Sequence, residues 1–108
     1  MPTAYKVLGQ AAPAANTLTT LYTVPSSTTS VCSTLAVANR GVSTLFRIAI
    51  RPAGASITNS QYIAYDTVVN QYDSIFLTLG ISLATTDVVS VQAGTADVSF
   101  TLFGAEIT

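Results

Sequence analysis

The stretch from Asn39 to Gly54 constrains the fold more than any other part of the chain. Arg40-Gly41 can turn the backbone, because glycine accepts positive φ without steric cost. From Leu45 to Arg51 the residues alternate, with Phe46, Ile48 and Ile50 on one side and Leu45, Arg47, Ala49 and Arg51 on the other. A period of two is that of a strand with one buried face. Pro52 has no N–H for a sheet ladder, so the strand stops or reaches an edge there, and Pro52-Ala53-Gly54-Ala55 forms the second turn.

The same pattern repeats along the chain. Ala4–Leu8 reads as a first strand or an arm, and Gly9–Asn16 as a connection of small residues interrupted by Pro13. Residues 1–16 are therefore left open between an extended N-terminal arm and an ordinary start to the domain. Strands are expected at Thr17–Val24, Ser30–Ala38, Leu45–Arg51, Gln61–Val69, Tyr72–Leu79, Asp87–Ala93 and Val98–Phe103. Gly80 is expected to kink or turn the chain, with Ile81–Thr86 as a connection. Ser30–Ala38 lacks charge on both parities, which predicts a central strand covered on both faces.

Seven or eight short strands at about 10–14-residue spacing are the signature of a sandwich or barrel. No window supports an amphipathic helix. The prediction is a single all-β domain over residues 1–108, an antiparallel β-sandwich of jelly-roll or immunoglobulin-like type. An immunoglobulin domain proper is disfavoured, since there is no Trp and only one Cys.

Composition then narrows function. Charged residues are 8% of the chain and the net charge is −1, which removes the electrostatic basis for nucleic-acid or anionic-membrane binding. No apolar run approaches the ~18 residues of a membrane span, and the start lacks the pattern of a secretory signal. So little charge suggests a surface largely covered by other protein. The absence of His removes the usual general base and the commonest metal ligand. Cys32, the sole cysteine, reads as a small buried hydrophobe rather than a reactive thiol. The five acids are scattered, and Asp87 and Asp97 sit where strands begin, which suits turn chemistry better than a catalytic pair. No catalytic residue, cofactor or metal site is expected.

The candidate contact residues are Arg40, Arg47, Arg51, Tyr62 and Tyr65. The three arginines are most of the positive charge, in a chain with four basic residues. Arg47 and Arg51 share the outer parity of their strand. They serve there as solvated strand charge or as a bidentate grip on a carboxylate, either Asp66 or an acid of a partner. Tyr62 and Tyr65 fall on opposite parities, so one is expected in the core and the other at the surface as an interface anchor.

Six segments carry a wider likeness: Tyr5–Gln10, Leu21–Pro25, Asn39–Gly41, Phe46–Gly54, Tyr62–Asp66 and Leu83–Val91. Over nearly the whole chain they resemble a group of small virion structural proteins of tailed bacteriophages, especially those of cyanobacteria and other aquatic bacteria. The resemblance implies a non-enzymatic particle component, assembled in the host cytoplasm and located in the virion. Either a capsid decoration (cement) protein, often trimeric, or a tail, neck or fibre component fits it. The implied partners are the major capsid protein, other virion proteins and further copies of the chain. A carbohydrate-binding β-sandwich is the alternative from another class, resting on the tyrosines.

Overall fold

The structure is a computed structural model and describes residues 2–108. Eight strands make up most of it. They are β1 (Thr3–Ala11), β2 (Thr19–Thr23), β3 (Thr29–Asn39), β4 (Thr44–Arg51), β5 (Tyr62–Val69), β6 (Ser74–Leu83), β7 (Val88–Ala93) and β8 (Val98–Ile107). All pairings are antiparallel, in one sheet of order β1-β8-β3-β6 and a second of order β2-β7-β4-β5. This is the jelly-roll order, which decides between the two sandwich types the sequence allowed.

The strand predicted most firmly is central in the second sheet, paired with β7 on one side and β5 on the other. Its inward parity holds, with Phe46 and Ile48 fully buried and Ile50 packed against the core, but Ala49, expected on the outer parity, is also fully buried. Phe46 meets Phe100 of β8 edge-to-face, with ring centroids 6.2 Å apart. Leu35 and Val37 of β3, Val89 and Val91 of β7, and Val98 and Leu102 of β8 complete the layer between the sheets.

Elsewhere the sequence parities break at bulges. In β3 the inward residues are Ser30 and Cys32, then Leu35, Val37 and Asn39, because the register shifts between Cys32 and Thr34. Val31, which simple alternation would put on the same face as Leu35, is therefore exposed. A bulge inserts one residue and flips every later side chain. The strand is central, but its outer face is open rather than covered. In β2 a shift between Thr20 and Tyr22 buries both Leu21 and Tyr22.

Gly80 neither ends nor turns β6. It lies at φ 65° inside the strand, which continues to Leu83 with a register shift, so Ile81–Leu83 is ladder rather than connection. Likewise β8 runs on past Phe103 to Ile107. Residues 3–11 pair along β8 as an edge strand, so the first segment is a strand of this sheet and not an arm. Gly9 lies where β1 crosses β2 of the other sheet; a Cβ there would run into the Leu21 carbonyl.

Two polar ties hold the ends of the sandwich. At one end the buried Asn39 amide donates to the carbonyls of Val42 (2.8 Å), Asn70 (3.1 Å) and Val69 (3.2 Å), and its Oδ1 accepts from Gly41 N–H at 3.0 Å. That joins the β3–β4 turn to the β5–β6 turn. At the other end Tyr22 crosses between sheets. Its hydroxyl donates to Glu106 Oε2 at 2.6 Å and lies 2.6 Å from the buried Ser30 Oγ, while Lys6 Nζ pairs with Glu106 Oε1 at 2.6 Å. Burial, reinforced by Glu106, pushes Tyr22 up to about 12. The Lys6 and Tyr22 hydrogen bonds hold Glu106 below its ordinary 4.5.

Tyr22→Phe removes a charge-assisted hydrogen bond and leaves Ser30 without its partner, so it should cost about 2 kcal/mol in urea unfolding. Glu106 binds a proton less readily in the folded state than in the unfolded chain. Its contribution is therefore present above pH 4.5 and lost as pH falls through the depressed value. Glu106→Gln should accordingly flatten the fall of the urea midpoint between neutral and acid pH, relative to the parent protein.

Candidate functional site

The outer face of the second sheet brings together three of the five predicted contact residues. Arg47 stands on β4, directly opposite Gln92 of β7. Its Nε donates to Asp66 Oδ1 at 2.7 Å and its Nη2 to Asp66 Oδ2 at 3.3 Å. The bidentate grip is thus made within the chain. Each partner steadies the other's charge: the hydrogen bonds raise Arg47 and lower Asp66 relative to their ordinary values. The Arg47 guanidinium carbon also lies 4.0 Å from the centroid of the Tyr65 ring, a cation–π stack.

Tyr62 and Tyr65 do not divide between core and surface. They meet edge-to-face with centroids 4.9 Å apart and an interplanar angle of 82°. The reason is local. Asp66 takes φ 52°, and β5 slips twice against β4, at Phe46–Ile48 and Ile48–Ala49. The slip that sets Tyr62 opposite Ala49 and Ala64 opposite Ile48 adds one residue between the two tyrosines and cancels their parity difference, so both rings emerge on the outer face. Asp tolerates this backbone region better than most residues, and Arg47 fixes its side chain.

The remaining arginines lie apart from this cluster, at opposite ends of β4. Arg51 closes the segment that follows its strand: Nε donates to the Ala55 carbonyl (2.7 Å), Nη2 to Gly54 (3.1 Å) and Nη1 to Ser90 Oγ (3.4 Å). Asp87 secures the same segment from below, accepting from Ala53 N–H at 2.9 Å and Ala84 N–H at 2.9 Å. Asp87 thus has the turn role expected of it. Arg40 donates to the Ala96 carbonyl at 3.2 Å and so ties one turn to another.

On the same outer face, a cleft of about 250 Å³ adjoins the Arg47–Asp66 pair and includes Asn16 and Gln92. Neither amide was singled out in the sequence. Asn16 reaches the cleft from the β1–β2 loop through a backbone bond to Ala93 O at 2.7 Å, which no local pattern announces.

The first sheet presents a different surface. Its four strands contain only two charged residues, Lys6 and Glu106, and these pair with each other. The outward side chains include Tyr5 (84% exposed), Phe76 (68%), Val7, Val31 and Phe103. Around Tyr5, Val31 and Phe103 they border a shallow apolar groove of about 440 Å³. The outward parities of these strands carry the signal in sequence, but bulges in β1, β3 and β6 scramble it.

Cys32 is fully buried, and burial pushes its thiol up to about 11. Among the described residues no three His, Cys, Asp or Glu side chains gather as metal ligands. The chain matches no protein family and no curated protein.

Arg51→Ala removes three donors from the Pro52–Ala55 segment while leaving the core intact. Amide exchange there should quicken, with a loss of about 1–2 kcal/mol in unfolding free energy. Exchange in β4 itself should rise no more than that global loss requires.

Proposed function

We propose that this chain is a non-enzymatic virion structural protein of a tailed bacteriophage, and specifically a decoration protein that binds the assembled head. The observation that carries this reading is the outer face of the β1-β8-β3-β6 sheet. Its strands carry only two charged side chains, the half-exposed Lys6 and the Glu106 that neutralises it, and it exposes Tyr5, Val31, Phe76 and Phe103. A freely soluble surface ordinarily mixes charges to stay dispersed. Depletion of charge together with exposed aromatic residues is the composition of an interface core.

The size also fits. Four strands about 4.8 Å apart and roughly 30 Å long offer about 600 Å² of flat face, near the ~800 Å² per partner of a standard interface. The jelly roll itself is used by capsid proteins and lectins alike, so the fold contributes by analogy only. The likeness of Phe46–Gly54, Tyr62–Asp66 and Leu83–Val91 to small phage structural proteins supplies the particle context.

Such a protein acts by mass action. It binds the assembled lattice and not its free subunits, so each bound copy favours the assembled state. Trimeric association would present three such faces and add their modest contacts through multivalency. The major capsid protein is the proposed partner, and the same surface would serve a tail or neck position by the same chemistry.

Tyr5→Glu combined with Phe76→Glu places two charges on the face without touching the core. The isolated variant should melt within a few degrees of the parent. Its occupancy on particles, counted by cryo-EM, should fall at least roughly tenfold. Unchanged occupancy would remove this face as the contact, and a map lacking the protein altogether would remove the virion assignment.

A further inference from the structure

We propose that the outer face of the β2-β7-β4-β5 sheet is a binding site for a neutral glycan, formed by the Tyr62–Tyr65 corner and the adjoining cleft of Arg47, Asp66, Asn16 and Gln92. This site lies on the opposite sheet from the assembly face and does not depend on that reading.

Two rings at 82° with centroids 4.9 Å apart make a concave aromatic corner, and Tyr65 is 55% exposed. With Asn59 they line a hollow of about 420 Å³. Aromatic faces carry partial negative charge and attract the polarised C–H groups on the apolar face of a sugar ring. Next to this corner, across the Arg47–Tyr65 stack, is the polar cleft.

The cleft has unused hydrogen-bonding capacity suited to hydroxyl groups. Arg47 gives Asp66 one N–H from Nε and one from Nη2 out of its five, and each Asp66 oxygen accepts one bond from Arg47 and keeps a free lone pair. The Asn16 and Gln92 amides make no hydrogen bond to other described side chains or backbone, and each offers two donors and an acceptor. A vicinal diol can donate to Asp66 while accepting from Arg47 or Gln92.

Charge balance selects the ligand class. Arg47 and Asp66 neutralise each other at 2.7 Å, so the cleft has no net charge. An anion or a cation would have to compete with a bidentate pair already formed. A polyhydroxylated neutral ligand adds bonds to both members without parting them.

Isotope-labelled protein should be titrated with galactose, mannose, N-acetylglucosamine and their oligosaccharides, with N-acetylneuraminic acid and inorganic sulfate as anionic probes. At least one neutral sugar should give saturable amide shifts centred on residues 16, 65, 66 and 92, with a Kd of about 1 mM. Tyr65→Ala and Gln92→Ala should each weaken that binding roughly tenfold while the rest of the spectrum stays in place. The proposal is overturned if no neutral sugar gives saturable shifts up to tens of millimolar, if the shifts map elsewhere, or if the anionic probes bind more tightly. None of these results bears on particle occupancy.

Discussion

The two sheets are joined at Phe46 and Phe100, one from the centre of each layer. Everything else in the fold is arranged so that this contact stays dry. Leu35 and Val37 of β3, Ile48 of β4, Val91 of β7 and Val98 and Leu102 of β8 share its core cluster and are fully buried. In a chain of 108 residues one such layer is the whole core. The bulges in β1, β2, β3, β5 and β6 follow from it, because twisted strands of unequal length can keep their apolar residues in one layer only by inserting a residue here and there.

Charge is scarce and its placement is consistent. Lys6 and Glu106 join Tyr22 at one end of the sandwich, Arg51 and Asp87 hold the segment after β4, and Arg47 and Asp66 brace the β5 bulge. These groups work inside the chain. The arginines of β4, which sequence alone marks as the first place to seek a neighbour, already have partners. What remains outward on the first sheet is poor in charge, and mixes exposed aromatic and aliphatic side chains with Ser and Thr hydroxyls. The structure therefore separates two surfaces of different character: a flat, charge-poor face on one sheet, and a concave aromatic and polar site on the other.

Much of this was legible in the sequence for one reason. Where alternation runs unbroken, as in Leu45–Arg51, parity gives the inward face of Phe46, Ile48 and Ile50, though Ala49 of the other parity is buried too, and both turns around the strand carry their own signals in Gly41 and Pro52. The reading failed wherever the register slipped. Alternation puts Val31 on the face of Leu35, yet the two point oppositely; it puts Tyr62 and Tyr65 on opposite faces, yet they share one; and Ile81–Leu83, read by pattern as part of a connection, is strand. A bulge needs only one residue able to tolerate an unusual backbone. Nothing in a short window separates Asp66 at φ 52° from an aspartate in a regular strand.

Local composition and period thus determined the number of strands, the sandwich class, the burial of Cys32 and the inward face of β4. These depend on side-chain chemistry over a few residues. Strand order, the jelly-roll connection of the sheets, the Tyr22–Glu106 tie across 84 residues of sequence and the meeting of Asn16, Arg47, Asp66 and Gln92 were decided by the tertiary structure. Those contacts are set by how the two sheets close over a shared core, and that closure is a property of the whole chain at once.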